Sequence, residues 1–396
     1  MTTIVGGVYV ERCIEPVWNE VFGSGGRAAM ALSNVVPDLR LFAYRPSTIR
    51  ADLENLEFIA GIPIEGPVVA NPVEFDYMHS LAEPRITPRP DAIPRHNAIE
   101  VEDDVVLRFG MLEGEAKVKA RRAVYDPQSA FDPQPFHENG SIADELALVV
   151  NHFEGRKLSG KKEPAEIVSS LIGEHGADIV VLKMGGRGAL VGWGSERQPI
   201  PAFLSEHIWK IGSGDVFSAA FLKFWAIDNM RPDEAALLSS KAVSSYVSTR
   251  SLPIPLKKDL QSTTFAPVVP GDGKIYLAAP FFNLGEIWMV EEARKCLHDM
   301  NVDVFSPLHD VGRGPAYQIA KADLEGLDNC DAVLAILNGG DAGTIFEIGY
   351  AVAKDIPVVA LAQNVRPEDL KMVEGSGCTI ADDFVTAIYK AVWSLQ

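Results

Sequence analysis

The sequence predicts two consecutive α/β domains, each built on a largely parallel sheet. Three observations carry this: the length, a repeated alternation of strand-like and helix-like runs, and a Pro/Gly-rich break two thirds of the way along. At 396 residues the chain is longer than a comfortable single domain and suits two. Apolar, β-branched runs (ADIVVLKM, KIYLAAPF, DAVLAILN, IPVVALA) alternate with helical patterns (GGRAAMALSNV, GDVFSAAFLKFWAI, EIWMVEEARKCLHDM, TIFEIGYAVAKD). Strand–helix–strand alternation indicates parallel sheets with helices on both faces. The break is Ser262–Gly273, STTFAPVVPGDG, after which Lys274 opens a fresh strand. The expected organisation is therefore a domain over 1–261, a linker over 262–273 and a domain over 274–396. From about Pro63 to Arg122 the chain is proline-dense, with short alternating segments such as DDVVLRFGML. This predicts antiparallel strands or a lid inserted in the first domain.

Composition narrows the partners. With 47% hydrophobic and 23% charged residues, each half can bury its own core without disulfides or metals. A formal net charge of −18 and no Lys/Arg run argue against a nucleic-acid polymer. Small phosphorylated ligands stay compatible, because backbone amides bind them whatever the net charge. Cys13, Cys296, Cys330 and Cys378 are scattered without CxxC or Cys/His spacing. A metal site or disulfide framework is not expected, and a reducing, cytoplasmic setting is. The start, MTTIVGGVYVERC, reads as a buried first strand rather than a secretory signal. No stretch approaches about 18 uninterrupted apolar residues, so no membrane span is expected.

In the C-terminal domain, Val290, Ala293, Leu297 and Met300 form a helix stripe that faces a core. Two acidic clusters are more informative. Lys321–Asp331 (KADLEGLDNCD) leads into a strand, and Gly339–Tyr350 (GGDAGTIFEIGY) leaves that strand through a glycine-rich turn into a helix. Ligands of open parallel sheets bind at the carboxyl ends of strands, where such turns sit. Asp341 lies in the turn, where helix cap and acid catalyst are both open readings. Glu347 lies in the first turns of the helix, where the macrodipole is expected to keep it ionised. A charged carboxylate aimed at a cleft can attack an anomeric carbon or stabilise an oxocarbenium-like transition state. A surface helix residue is the other reading.

Ile275–Phe282 (IYLAAPFF), Asp323–Asp331 and Asp341–Ala351 occur together in an order and spacing that resembles the nucleoside 2-deoxyribosyltransferase family, over roughly 274–395. The resemblance implies a flavodoxin-like, doubly wound parallel sheet. It implies that Glu347 is the nucleophile of a covalent deoxyribosyl–enzyme intermediate, that Asp323 and Asp341 bind and protonate the base, and that Tyr276 orients the nucleophile. No cofactor is implied for this half, and a homo-oligomer is. Members transfer deoxyribose between bases or hydrolyse nucleoside 5′-monophosphates; Ser306, Arg313 and Ser376 are the candidates for phosphate contact.

In the N-terminal domain, Ile211–Phe217 (IGSGDVF) precedes an apolar helix. Glycine-rich amides at a helix start form an anion hole, with Asp215 placed beside the anion as a general base. A tight turn capped by Asp is the alternative. Gly25–Gly26, Asn151–Glu154 (NHFE) and Leu182–Ala189 (LKMGGRGA) stand in an order that resembles the PfkB-type, ribokinase-like carbohydrate kinases over roughly 1–258. The resemblance implies a ribokinase-like α/β domain with a small β lid, using ATP and Mg²⁺. Asp215 would deprotonate the acceptor, Gly212, Ser213 and Gly214 would hold the transferring phosphate, and Gly185 and Gly188 would border the nucleotide. Asn151 and Glu154 would lie near the magnesium without ligating it directly, and Glu11, Gly25 and Gly26 would meet the acceptor. The sequence departs from the family pattern at Trp209-Lys210, Met30 and Glu11, mostly on the acceptor side.

The whole therefore reads as a bifunctional enzyme of nucleoside or nucleotide metabolism acting on small molecules. One half cleaves or transfers the N-glycosidic bond through Glu347, and the other is an ATP-dependent nucleoside or sugar kinase. The alternative is a nucleoside 5′-monophosphate N-glycosidase carrying a catalytically degenerate, regulatory kinase-like domain.

Overall fold

The computed structural model describes residues 1–129, 131–269 and 271–395. Pro270 of the expected linker and the final Gln396 lie outside them, as does Ala130. The chain separates into two compact units, Met1–Pro267 and Val268–Gln396. Pro267 bridges to Phe203, and the Phe265 ring meets that of Phe203 edge-on, so the front of the 262–273 segment is part of the first unit.

The first unit is built on a nine-stranded sheet. Its order is Glu196–Ile200, Ala189–Trp193, Ile179–Lys183, Ile142–Asn151, Ala116–Asp126, Ile99–Phe109, Thr2–Val5, Leu39–Phe42 and Ile64–Glu65. The first three strands of that order pair antiparallel, and every other neighbouring pair is parallel. A separate four-stranded sheet, Trp18–Val21, Val10–Glu15, Glu74–His79 and Arg85–Thr87, forms a lid.

The expected inserted β layer is thus real but differently composed. DDVVLRFGML, expected in the lid or in antiparallel strands, lies mostly in Ile99–Phe109 and runs parallel at the centre of the main sheet. The misleading signal has a physical cause. The first half of that strand alternates buried and exposed, while its second half, Val105–Phe109, is buried on both faces as central parallel strands are. It passes to Ala116–Asp126 through residues 110–115 without a helix, where such a crossover usually carries one.

The second unit is an all-parallel sheet of five strands ordered Asp303–Phe305, Lys274–Ala278, Ala332–Ile336, Val358–Leu361 and Thr379–Ala381. Numbered along this unit, the order is 2-1-3-4-5, which is the flavodoxin-like doubly wound arrangement. Its switch point falls between Lys274–Ala278 and Ala332–Ile336, and both strands are almost wholly buried. All four cysteines are buried and unpaired. Burial pushes the thiols of Cys13 and Cys330 up to about 11 and that of Cys296 up to about 12. Among the described residues, no helix is long and apolar enough to cross a membrane.

Candidate active sites

In the second unit the sheet's switch point gathers the acidic residues. Tyr276 sits mid-strand in Lys274–Ala278 with 0% exposure, and its hydroxyl donates to Glu347 Oε1 at 2.6 Å. The Tyr276 ring stacks on Phe305 at 5.4 Å. Gly326 makes room for that backing, since a Cβ there would stand 2.2 Å from Phe305 Cζ. The glycine inside the first acidic cluster therefore serves the tyrosine that holds Glu347.

Glu347 is the sixth residue of the helix Ala342–Ala353. That lies beyond the first turn, within which the helix dipole acts, so the dipole does not set its charge state. Burial instead pushes its carboxyl up to about 7, opposed by the Tyr276 hydrogen bond and reinforced by the negative charges of Asp323 and Asp341. The expectation of a carboxylate held ionised by the macrodipole is corrected accordingly.

Asp341 caps the helix, its Oδ2 accepting from Thr344 N at 2.8 Å and from Thr344 Oγ1 at 3.0 Å. Gly339 and Gly340 reach it through two left-handed residues (φ +82° and +69°), conformations that favour glycine. Asp323 lies within the helix Ala316–Asp328. Its Oδ1 is buried without a hydrogen-bond partner, and burial raises its carboxyl above the ordinary range. Of the phosphate-contact candidates, Ser306 is buried and pairs with His309 Nδ1 at 3.0 Å, Ser376 donates to Met372 O at 2.5 Å, and Arg313 is exposed.

In the first unit a cavity of about 1180 Å³ opens between the lid and the main sheet, with Tyr9, Phe75 and Tyr77 from the lid side and Gly212 and Asp215 at its floor. Asp215 lies in the first turn of the helix Ser213–Phe221, after Gly212 in a left-handed conformation (φ +76°). Both its oxygens are engaged: Oδ2 accepts from Arg27 Nη1 at 2.8 Å and Oδ1 from the Gln128 side chain. Arg27, 1% exposed, also pairs with Glu11. Burial pushes Glu11 up while Arg27 pulls it down. The sequence pattern singled out Glu11 and Asp215; it did not reveal the buried guanidinium that joins them, although Arg27 directly follows the Gly25–Gly26 pair.

Those two glycines have packing work. The Gly25 amide donates to Gly7 O at 2.9 Å, and a Cβ on Gly25 would stand 2.8 Å from Gly6 O. A Cβ on Gly26 would meet Leu56 Cδ2 at 3.1 Å. Gly23, Ser24 and Arg27 line the cavity from the same helix.

Asn151 and Glu154 form a capping box on the helix His152–Ser159. Glu154 Oε2 accepts from Asn151 N at 2.8 Å and Oε1 from Ser129 N at 3.0 Å. Beside it, Asp126 accepts from Lys183 Nζ and Ser218 Oγ, both at 2.7 Å. Burial pushes Glu154 up to about 7, with Asp126 adding to the shift and Lys183 opposing it. Gly185 and Gly188 bracket a tight turn after Ile179–Lys183; a Cβ on Gly188 would stand 2.1 Å from Ile200 O. Asp126 escaped the sequence reading because no recognised motif contained it, and Lys183, inside the LKMGGRGA segment, was passed over because attention fell on the glycines of its turn.

Two α/β units, one with a lidded cavity over a glycine-rich helix start and one with a tyrosine-held carboxylate at a switch point, define a chain of two small-molecule domains. Residues 142–258 match the family model of the pfkB family carbohydrate kinases, and residues 275–383 match that of nucleoside 2-deoxyribosyltransferase. The chain joins a PfkB-type, ribokinase-like domain to a nucleoside 2-deoxyribosyltransferase family domain, and both families are enzymes. No curated protein matches it. Solved structures similar to the chain include a ribokinase from Thermotoga maritima, at 18% identity and TM-score 0.49, covering 66% of this chain and 98% of that one. A Vibrio cholerae fructokinase bound to fructose, ADP and calcium has 12% identity over 66% of this chain and 98% of that one, TM-score 0.49. A Burkholderia thailandensis nucleoside kinase in complex with inosine has 14% identity over 66% and 96%, TM-score 0.49.

Proposed function

We propose that the second unit breaks the N-glycosidic bond of a nucleoside or nucleotide through a covalent intermediate on Glu347. The observation that carries this reading is the 2.6 Å hydrogen bond from the buried Tyr276 hydroxyl to the Glu347 carboxylate. It fixes one oxygen and leaves the other to attack. Glu347 forms an ester bond to the anomeric carbon as the carbon–nitrogen bond breaks, and the bond's electrons leave with the base. Asp323, whose carboxyl burial raises, would give the departing base its proton, and Asp341 would hold the base from the helix start. A second base or a water then attacks the same carbon and frees the carboxylate.

Glu347→Ala is expected to abolish base release from a panel of deoxynucleosides and deoxynucleotides while the fold persists. Undiminished release by that variant overturns the assignment. A second free base in the same assay separates transfer from hydrolysis, because only transfer yields a new nucleoside.

The first unit is read as an ATP-dependent kinase of a nucleoside or sugar. Its cavity has room for a nucleoside, with Tyr9, Phe75 and Tyr77 as aromatic lining. The acceptor hydroxyl would displace the Gln128 amide from Asp215 Oδ1 and pass its proton there. Asn151 and Glu154 would lie near the magnesium ion without ligating it, since both Glu154 oxygens already accept backbone N–H groups, and the Asp126 carboxylate would add negative charge beside them. The metal would offset the negative charge of the donor phosphates. Asp215→Asn is expected to remove magnesium- and ATP-dependent phosphorylation of nucleosides and pentoses. A wild-type chain that phosphorylates nothing across that panel favours the degenerate, regulatory reading.

A further inference from the structure

Lys210 stands where the chain turns into the glycine-rich loop, and its side chain folds back over the start of the following helix. Its Nζ donates to Ser213 Oγ at 2.7 Å, and its carbonyl accepts from Ser213 N at 3.2 Å. An ammonium at a helix N-terminus faces the positive end of the dipole, an unfavourable placement for a cation. A second ammonium shares the same turn, since a Cβ on Gly214 would stand 3.4 Å from Lys183 Nζ. Lys183 is paired with Asp126, whereas among the described residues Lys210 forms no ion pair with a carboxylate. Burial, aided by Lys183, pulls its amine down to about 8, against the opposing pull of Asp215.

A third cation borders the loop from the other side. The Arg27 guanidinium lies against Gly212, where a Cβ would meet Nε at 2.1 Å. That Nε is buried and has no hydrogen-bond partner. Two lysines, a guanidinium with an unused donor and the first-turn amides of a helix thus converge on one short loop. Lys183 is balanced by Asp126, and Arg27 by Glu11 and Asp215, which leaves Lys210 as the ammonium whose charge an anion at the helix start would meet.

We propose that Lys210 binds the phosphoryl group this unit transfers, adding a cation to an anion hole otherwise made of backbone amides. The inference rests on the kinase reading above and deepens it. In the transfer, the acceptor oxygen forms a bond to the γ-phosphorus as its proton passes to Asp215. The bond from that phosphorus to the bridging oxygen breaks, and its electron pair leaves with ADP. Lys210 keeps all its protons and donates hydrogen bonds to the non-bridging oxygens, on which the charge is spread.

The test is calorimetric titration of inorganic tripolyphosphate and of MgATP into the full chain. Lys210→Met is expected to lower tripolyphosphate affinity roughly tenfold or more, the loss of a charge-assisted contact, and Lys210→Arg to restore most of it. Folded Lys210→Met protein with wild-type affinity overturns the role of Lys210 and leaves the kinase reading standing. Wild-type protein that binds neither probe overturns both. If Lys210→Met does not fold, lysine acetylation of the wild-type chain decides: tripolyphosphate is expected to protect Lys210, and an unprotected Lys210 overturns the proposal.

Discussion

Glu347 shows how a single side chain sets both the pH response and the cost of the site. Burial pushes its carboxyl up to about 7, and in the proposed mechanism it has to be ionised to attack. Base release, measured as kcat/KM, is therefore expected to rise with pH through about 7. Tyr276→Phe removes the hydrogen bond that lowers this value, so the midpoint of the rise is expected to move upward and the rate at pH 7 to fall. An unmoved midpoint in that variant would count against the pairing. The same shift has a stability sign. Glu347 is raised above its ordinary 4.5, so between about 4.5 and 7 the folded chain holds a proton that the unfolded chain releases. Its contribution to stability is full below 4.5 and is lost as the pH rises through 7. Glu347→Gln, which needs no proton, is expected to melt above wild type at pH 8, on the order of 5 °C, with the gap closing below pH 5.

At the scale of elements, helix starts carry Asp341 and Asp215, candidate site residues of the two units, and they differ in how far they could be read in advance. Asp341 was open between cap and acid; it caps the helix, and its charge adds to the raising of Glu347. The two roles can be separated. Asp341→Ala is expected to cost about 1 kcal/mol of stability in denaturant titration. Asp341→Asn keeps the cap and is expected to retain stability while slowing base release; equal release in both proteins would leave only the cap. The strand–helix alternation was legible because buried parallel strands and one-sided helices leave different periodicities. The placement of Ile99–Phe109 was not, because a strand emerging beyond its cover alternates like a lid strand. Pairings between distant positions were equally hidden: Arg27 with Glu11 and Asp215, and Lys183 with Asp126, span separations at which no local pattern survives. Tyr276 and Glu347 were legible as residue types in a family spacing, but the raised Glu347 carboxyl follows from burial, which spacing does not report.

For the molecule as a whole, each unit closes its own core. One hydrophobic cluster gathers Val106, Val124's neighbours Ala123 and Tyr125, and Leu148 around the nine-stranded sheet, and another gathers Tyr276, Val333 and Ala360 around the five-stranded one. Polypeptides 1–267 and 268–396 are therefore expected to fold separately, each with a single cooperative thermal transition. A second polypeptide that stays unfolded alone would show that its core depends on the first. The buried thiols bear on the same question. A thiol whose ionisation is pushed to about 11 or 12 presents almost no thiolate at neutral pH, so native protein should react with a thiol-specific dye only when its surroundings open. Cys13 belongs to one unit and Cys296, Cys330 and Cys378 to the other. The order in which they acquire label during slow denaturation would therefore time the opening of each half within the intact chain.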